Sequence, residues 1–229
     1  MTLDDVCVLD GVRDVTTDSR EVRPGSIFVA VRGTSFDGHA AIADAVRRGA
    51  IAVVAEAAPA EPVPVPIVLV ENARLAFAQC VQIILKSPAS ALSVYGVTGT
   101  NGKTTCATIL EQMFLAAGRR TGFIGTTGNR YGGQTRPTDY TTPHAHALAN
   151  LFIDMRNHGI DTVSMEVSSH ALDQYRVWGV PFRGAMFTNL THDHLDYHRT
   201  MEAYANAKKR LFDMLGNDSV AVLDADSEW

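Results

Sequence analysis

Leu92-Ser-Val-Tyr-Gly-Val-Thr-Gly-Thr-Asn-Gly-Lys-Thr-Thr-Cys-Ala107 is the stretch that decides the fold. Its β-branched and aromatic start reads as a strand, its glycines as a turn, and Lys103 as the opening of a helix. That order cradles a nucleotide's phosphates: loop amides and the helix dipole face anionic oxygens, and Lys103 adds a mobile positive charge. Thr104 follows, where a hydroxyl can ligate Mg²⁺. The strict phosphate-loop spacing wants a glycine where Val97 stands, and the glycines here are Gly96 and Gly99. A plain glycine-rich turn is the other reading. The Gly-Lys-Thr-Thr run between a strand and an apolar helix favours nucleotide binding.

Working outward, strands and helices alternate after the loop. The helix runs to Gly118, followed by a strand over 121–125, a helix over 143–159 and strands over 161–167 and 183–189. A helix over 201–215 and a strand over 220–223 complete the series. This predicts an α/β fold with a P-loop NTPase-like parallel sheet and crossover helices. Before the loop, residues 15–70 read as a small mixed α/β unit with strands over 27–31, 51–55 and 67–70. Its first helix stops at Gly49. Asn72 caps a second helix that runs to about Lys86, and Ser87-Pro88 ends it. The expected domains are therefore 1–88 and 89–229.

The totals bound the function class. The 229 residues are 46% apolar and 20% charged, with a net charge of −5. That acidic balance gives no electrostatic footprint for nucleic acid or an anionic membrane. Cys7, Cys80 and Cys106 are too widely spaced for a disulfide framework or a thiolate metal motif. No secretory signal or membrane-spanning run is visible, so the expectation is a cytoplasmic protein without membrane insertion.

Chemistry-bearing residues crowd the second half. Seven of the 8 histidines lie between His144 and His198. Glu166 stands at the end of a strand that faces the same crevice as the phosphate loop, where a carboxylate can hold the nucleotide's Mg²⁺ or simply form a turn. The run Thr188-Asn-Leu-Thr-His-Asp-His-Leu-Asp-Tyr-His198 packs imidazoles and carboxylates at a density that suits metal contact or acid/base work. It fits no usual zinc spacing, and a solvated polar loop is the other reading. On the next helix Met201, Tyr204, Lys208, Leu211 and Leu215 form an apolar stripe, with Lys209 and Arg210 pointing away. An inward Lys208 must be paired, neutral or chemically modified, unless it snorkels from the stripe's edge.

Gly96-Val-Thr-Gly-Thr-Asn-Gly-Lys-Thr-Thr105, Met165-Glu-Val-Ser-Ser-His170, Asn189-Leu-Thr-His-Asp-His-Leu-Asp196 and Tyr204-Ala-Asn-Ala-Lys208 together resemble the Mur ligases. These ATP-dependent enzymes build the peptide stem of bacterial peptidoglycan. Asp18-Ser19-Arg20, Pro24-Gly25, Asp37-Gly38 and Thr141-Thr142-Pro143 resemble the MurE-type branch. Its members join meso-diaminopimelate or L-lysine to UDP-N-acetylmuramoyl-L-alanyl-D-glutamate. The resemblance spans residues 17–226.

The resemblance implies roles position by position. Ser19 and the Thr34-Ser35-Phe36 loop match contacts to the uridine nucleotide, in a first domain that binds the UDP-MurNAc-peptide. Thr141, Thr142, Ser168, Gln174 and Arg176 match positions that hold the rest of that substrate. Gly99, Thr100, Asn101, Gly102, Lys103, Thr104 and Thr105 match the ATP-phosphate site of the central domain. Thr104, Glu166, His194 and Lys208 match positions around two Mg²⁺ ions, with Lys208 carried as an N-carboxylated (carbamate) side chain. Lys103, Glu166, His194 and Lys208 are the implied catalytic set.

The implied reaction moves the γ-phosphoryl of ATP to the D-glutamate side-chain carboxylate, and the incoming amino acid's amine then displaces phosphate. The resemblance also implies a further domain for that amino acid. The expectation is thus the N-terminal part of a longer ligase, whose 229 residues alone bind the UDP-substrate weakly and do not turn over. Three rival readings are a non-catalytic nucleotide or UDP-sugar binder, a ligase of the folylpolyglutamate-synthetase kind, and a histidine-rich metal hydrolase.

Overall fold

The computed structural model describes residues 1–33, 36–227 and 229. They divide into two compact units, Met1–Ser87 and Pro88–Trp229.

In the first unit β1 (Asp14–Thr16), β2 (Ser26–Ala30), β3 (Ala50–Ala55) and β4 (Ile67–Leu69) form a parallel sheet in sequence order. Every residue of β2 is buried, so its apolar run needs no alternation. Helices α1 (Leu3–Cys7), α2 (Ile42–Arg47) and α3 (Ala73–Ile84) accompany the sheet. Asn72 caps α3 as its sequence position predicts, accepting from the Leu75 amide at 2.9 Å. Neither α1 nor β1 is long enough to carry a readable period.

The second unit holds β5 (Ser93–Thr98), β6 (Thr121–Ile124), β7 (Asn129–Tyr131), β8 (Gln134–Arg136), β9 (Thr162–Glu166), β10 (Phe182–Phe187) and β11 (Val220–Val222). Their order is β11-β10-β5-β9-β6-β7-β8. Its helices are α4 (Lys103–Ala116), α5 (Ala145–Asn157), α6 (Ser169–Asp173), α7 (Leu195–His198) and α8 (Met201–Asp213). Five strands are parallel as expected, but β7 and β8 add an antiparallel hairpin, which makes the sheet mixed. The hairpin turns on Gly132 and Gly133, at φ 58° and 77°, the two positive values a tight two-residue turn requires. Tyr131-Gly-Gly-Gln134 was the legible signal for it.

The register places the functional loops. Val97 lies opposite Glu166 and Thr98 opposite Phe187, so the loops after β5, β9 and β10 leave the sheet at one end. β5 sits between β9 and β10, where successive crossovers diverge to opposite sides. A Cβ on Gly96 would lie 2.9 Å from the Phe182 ring and 3.2 Å from Leu211. Gly96 therefore serves core packing beneath the loop, which accounts for its departure from the usual phosphate-loop spacing.

Candidate active site

The phosphate loop is held by the chain that follows β10. Thr188 Oγ1 donates to the Asn101 carbonyl at 2.6 Å, and Asn189 both donates to that carbonyl (3.2 Å) and accepts from the Asn101 amide (3.0 Å). The Thr100 amide donates to the Asn189 carbonyl at 2.9 Å. This approach is so close that a Cβ on Gly99 would fall 1.9 Å from Thr188 Oγ1, and Gly99 holds φ +147°. Gly102, at φ +82°, turns the chain into α4. Sequence reasoning missed the clamp by Thr188 and Asn189. Their place at the end of a strand beside β5 was its only trace.

Two lysines meet on one carbonyl. Lys103 Nζ donates to Gly99 O (3.0 Å) and Thr100 O (2.8 Å), and Lys208 Nζ donates to the same Gly99 O at 2.7 Å. Lys208 is 2% exposed, which settles the stripe reading in favour of burial. Its ammonium also lies 4.3 Å from the Tyr204 ring centroid. Burial, with Lys103 adding repulsion, pushes its pKa down to about 7. Burial also lowers Lys103, against the attraction of Glu166 and Asp193. On the same helix Lys209 is exposed, but Arg210 does not point away: it reaches the Leu172 and Asp173 carbonyls and the Asp173 carboxylate.

Across the loop, Thr104 Oγ1 donates to Glu166 Oε2 at 2.9 Å. Thr126, absent from the sequence-derived set, supports the same carboxylate through its amide (2.9 Å) and hydroxyl (3.3 Å). Gly125 leaves the room, since a Cβ there would sit 2.2 Å from Glu166 Oε1. A contiguous polar patch continues from Glu166. Thr126 Oγ1 reaches Thr141 Oγ1 (3.2 Å), and buried Thr142 donates to the Glu166 carbonyl (2.9 Å) and accepts from the Ser168 amide (3.0 Å). Arg176 donates to the Thr142 carbonyl at 3.0 Å and to Gln174.

His194 stands apart from this pair. It is exposed, at φ +52°, with its ring 4.9 Å from His170 and 6.1 Å from Tyr204. No hydrogen bond or ion pair among the described residues joins it to Thr104 or Glu166. It is linked to the phosphate loop through Tyr204, whose hydroxyl lies 3.3 Å from Thr100 Oγ1. Buried His198 is hydrogen-bonded to Ser169 Oγ at 2.9 Å, and burial lowers the pKa of both His198 and His170. Among the described residues no group of three or more His, Cys, Asp and Glu is placed to hold a metal ion. The rings of His170, Tyr197, His198 and Tyr204 pack together, while His192 and His194 are exposed.

What the site could hold follows from its donors. A 14-residue helix opening at Lys103, behind two positive-φ glycines, presents amides and a lysine suited to phosphate. Thr104 and Glu166 are hard oxygen donors beside it, the chemistry of Mg²⁺ rather than of a softer metal. In the first unit, Ser19 opens a turn whose preceding Asp18 accepts from the Arg20 amide at 2.9 Å, and Phe36 is 61% exposed. Thr34 and Ser35 lie outside the described residues. Thr105 is exposed on the first turn of α4. Among the described residues no helix is long and apolar enough to cross a membrane.

Comparison with known proteins converges on one family. The Mur ligase middle domain profile matches residues 97–229, and the profile of the Mur ligase family catalytic domain matches 12–95. UDP-N-acetylmuramoyl-L-alanyl-D-glutamate–2,6-diaminopimelate ligase of Chlorobium phaeobacteroides is 48% identical over 216 residues, covering 93% of this chain and 42% of the relative. The ligase of the same name from Geobacillus thermodenitrificans is 49% identical over 200 residues, covering 87% and 40%. A solved structure of a ligase of that name superposes with a TM-score of 0.83 at 30% identity, over 100% of this chain and 48% of the other. MurF ligase from Thermotoga maritima in complex with ADP gives 0.60 at 25% identity, covering 96% and 47%. The chain thus spans less than half the length of these relatives.

Proposed function

The chain belongs to the Mur ligase family, and from that premise we propose that it carries the nucleotide and UDP-substrate sites of an ATP-dependent amide ligase. Its substrate is UDP-N-acetylmuramoyl-L-alanyl-D-glutamate, and the reaction adds the third amino acid of the peptidoglycan stem. The Thr104–Glu166 pair at the mouth of the phosphate loop carries this reading. Relatives named as 2,6-diaminopimelate ligases make meso-diaminopimelate the first amine to test, with L-lysine second.

In this reading ATP occupies the loop 99–105, and a ligase with ADP bound among the similar structures supports it. Lys103 leaves the Gly99 and Thr100 carbonyls to meet the phosphate tail. Thr104 and Glu166 hold one Mg²⁺, and His194 with a modified Lys208 serves the second. Bound Mg²⁺ offsets negative charge on the phosphoryl oxygens. The γ-phosphoryl passes to the glutamate carboxylate, releasing ADP and leaving an acyl phosphate. The amine then attacks that carbonyl, and inorganic phosphate departs as the amide forms. Thr141, Thr142, Ser168, Gln174 and Arg176 hold the sugar-peptide, with Arg176 oriented toward its carboxylate or phosphate groups. Ser19 and residues 34–36 of the first unit take the uridine nucleotide.

A lysine with a pKa of about 7 supports the carbamate. The lowered pKa favours the free amine, the form that adds to CO₂ with release of a proton. The carbamate is anionic, which replaces a buried cation next to Lys103 with a complementary charge.

Calorimetric titration of the chain with ADP and Mg²⁺, and separately with the UDP-dipeptide, tests the assignment. Binding of both is expected, with nucleotide binding lost in Lys103→Ala and its Mg²⁺ dependence lost in Glu166→Gln. Nucleotide affinity that ignores Mg²⁺ in the wild-type chain would overturn the assignment of Thr104 and Glu166.

A further inference from the structure

We propose that Asp173 is a positioning residue that fixes the guanidinium of Arg176 through Tyr197 and Gln174. The inference rests on the reading of Arg176 as a contact to the UDP-substrate's anionic groups.

The chain of contacts is continuous. Tyr175, at the end of α6, holds φ +57°, and this left-handed turn lets the side chains on either side of it converge. Arg176 Nε and Nη2 both donate to Gln174 Oε1, at 3.1 and 2.8 Å. Gln174 Nε2 donates to the Tyr197 hydroxyl at 3.3 Å, and that hydroxyl donates to Asp173 Oδ2 at 2.8 Å. The other carboxylate oxygen, Oδ1, lies 3.3 Å from Arg210 Nη1, which also holds the Leu172 and Asp173 carbonyls. Asp173 is thereby tied to α8, the helix that carries Lys208.

The two ends dictate the direction of every bond between them. A guanidinium only donates, and a carboxylate only accepts. Tyr197 must therefore give its proton to Asp173 and accept from Gln174. Gln174 must in turn spend its NH₂ on Tyr197 and aim its oxygen at Arg176. Neither residue has a second arrangement that satisfies both neighbours. Asn at position 173 breaks this logic, because its amide can donate to Tyr197. The hydroxyl is then free to donate to Gln174, whose amide can turn its NH₂ against Arg176, donor against donor. The Thr142 carbonyl, at 3.0 Å from Arg176 Nη1, does not replace the direction that Gln174 gives the guanidinium.

Titration of the chain with UDP-N-acetylmuramoyl-L-alanyl-D-glutamate, and separately with ADP and Mg²⁺, tests the relay in five single variants and one double variant. Asp173→Asn is expected to weaken the UDP-dipeptide roughly tenfold, the scale of a misdirected charge-assisted hydrogen bond. ADP affinity stays at the wild-type value. Tyr197→Phe, which removes one oxygen, gives a similar split, and Asp173→Glu, which keeps an acceptor-only end, restores most of the affinity. In a Gln174→Ala background Asp173→Asn adds no further loss, whereas a merely structural role would add its full effect. Wild-type UDP-dipeptide affinity in both Asp173→Asn and Tyr197→Phe, with affinity lost in Arg176→Ala, overturns the relay alone. Unchanged affinity in Arg176→Ala overturns the substrate reading on which it rests.

Discussion

The phosphate loop and the histidine-rich loop leave neighbouring parallel strands at the same end of the sheet, yet they are ordered by opposite means. The first is gripped by its own backbone: four hydrogen bonds join the main chain of Thr100 and Asn101 to Thr188 and Asn189, and two lysines share the Gly99 carbonyl. The second, beyond Leu190, exposes His192 and His194 and is held through side chains, by ring contacts among His170, Tyr197, His198 and Tyr204 and by hydrogen bonds from Tyr197 and His198. Density of reactive residue types marks the second loop in the sequence. Close backbone approach, which glycine permits and composition hides, orders the first.

The contrast predicts a gradient of sensitivities. Gly99→Ala strikes the tightest point, forcing a side chain into a positive φ and onto Thr188 Oγ1. It is expected to destabilise the chain by about 3 kcal/mol and abolish ADP binding, measured by thermal unfolding and titration. An alanine variant that binds ADP like wild type would break the comparison at its strongest point.

Lys208 comes next, and its sign can be worked out. The folded state lowers its pKa from 10.5 to about 7, so across that window the unfolded chain binds more protons. Stability therefore rises with pH between those values. In CO₂-free buffer Lys208→Met removes this rise and stabilises the chain at pH 7 by about 2 kcal/mol, as expected for an apolar replacement of a buried charge. Denaturant unfolding at pH 7 and pH 9 reads both. Bicarbonate added to the wild type, but not to the variant, should raise stability at pH 7.

Thr188→Val removes the hydroxyl clamp on Asn101 while keeping the shape, and about 1 kcal/mol of stability with a several-fold loss of ADP affinity is expected. His192→Ala marks the other end of the scale. An exposed side chain on the second loop should shift stability by less than about 0.5 kcal/mol, and ADP affinity should not move. If the histidine variant costs as much as the threonine variant, the two loops are not different in kind.

Much of the architecture could be read from period and punctuation. The strand–glycine–helix order placed β5 and α4, Asn72 marked the start of α3, and alternating strands and helices gave the parallel sheet. The antiparallel hairpin escaped because strands of three residues carry too short a pattern, although Gly132-Gly133 announced its turn. The Glu111–Arg130 ion pair, at 2.6 Å with Glu111 5% exposed, could not be foreseen, since its partners come from α4 and β7 and meet only in the folded chain. Arg210 was misread for the same reason: helical spacing turned it away from the stripe, and the partner that claims it belongs to α6.

By itself the sequence determined which residue types sit at the loop, that Lys208 lies on the apolar stripe of its helix, and which family the chain resembles. These are local properties, fixed by the periods of helix and strand and by the chemistry of neighbours along the chain. Only the tertiary structure decided that Lys103 and Lys208 share one carbonyl, that Thr126 supports Glu166, and that Tyr197 bridges Asp173 and Gln174. Each of those joins segments far apart in sequence. Hydrogen bonds have direction and a reach of about 3 Å, so which donors and acceptors are satisfied is set only when the strands have taken their order in the sheet.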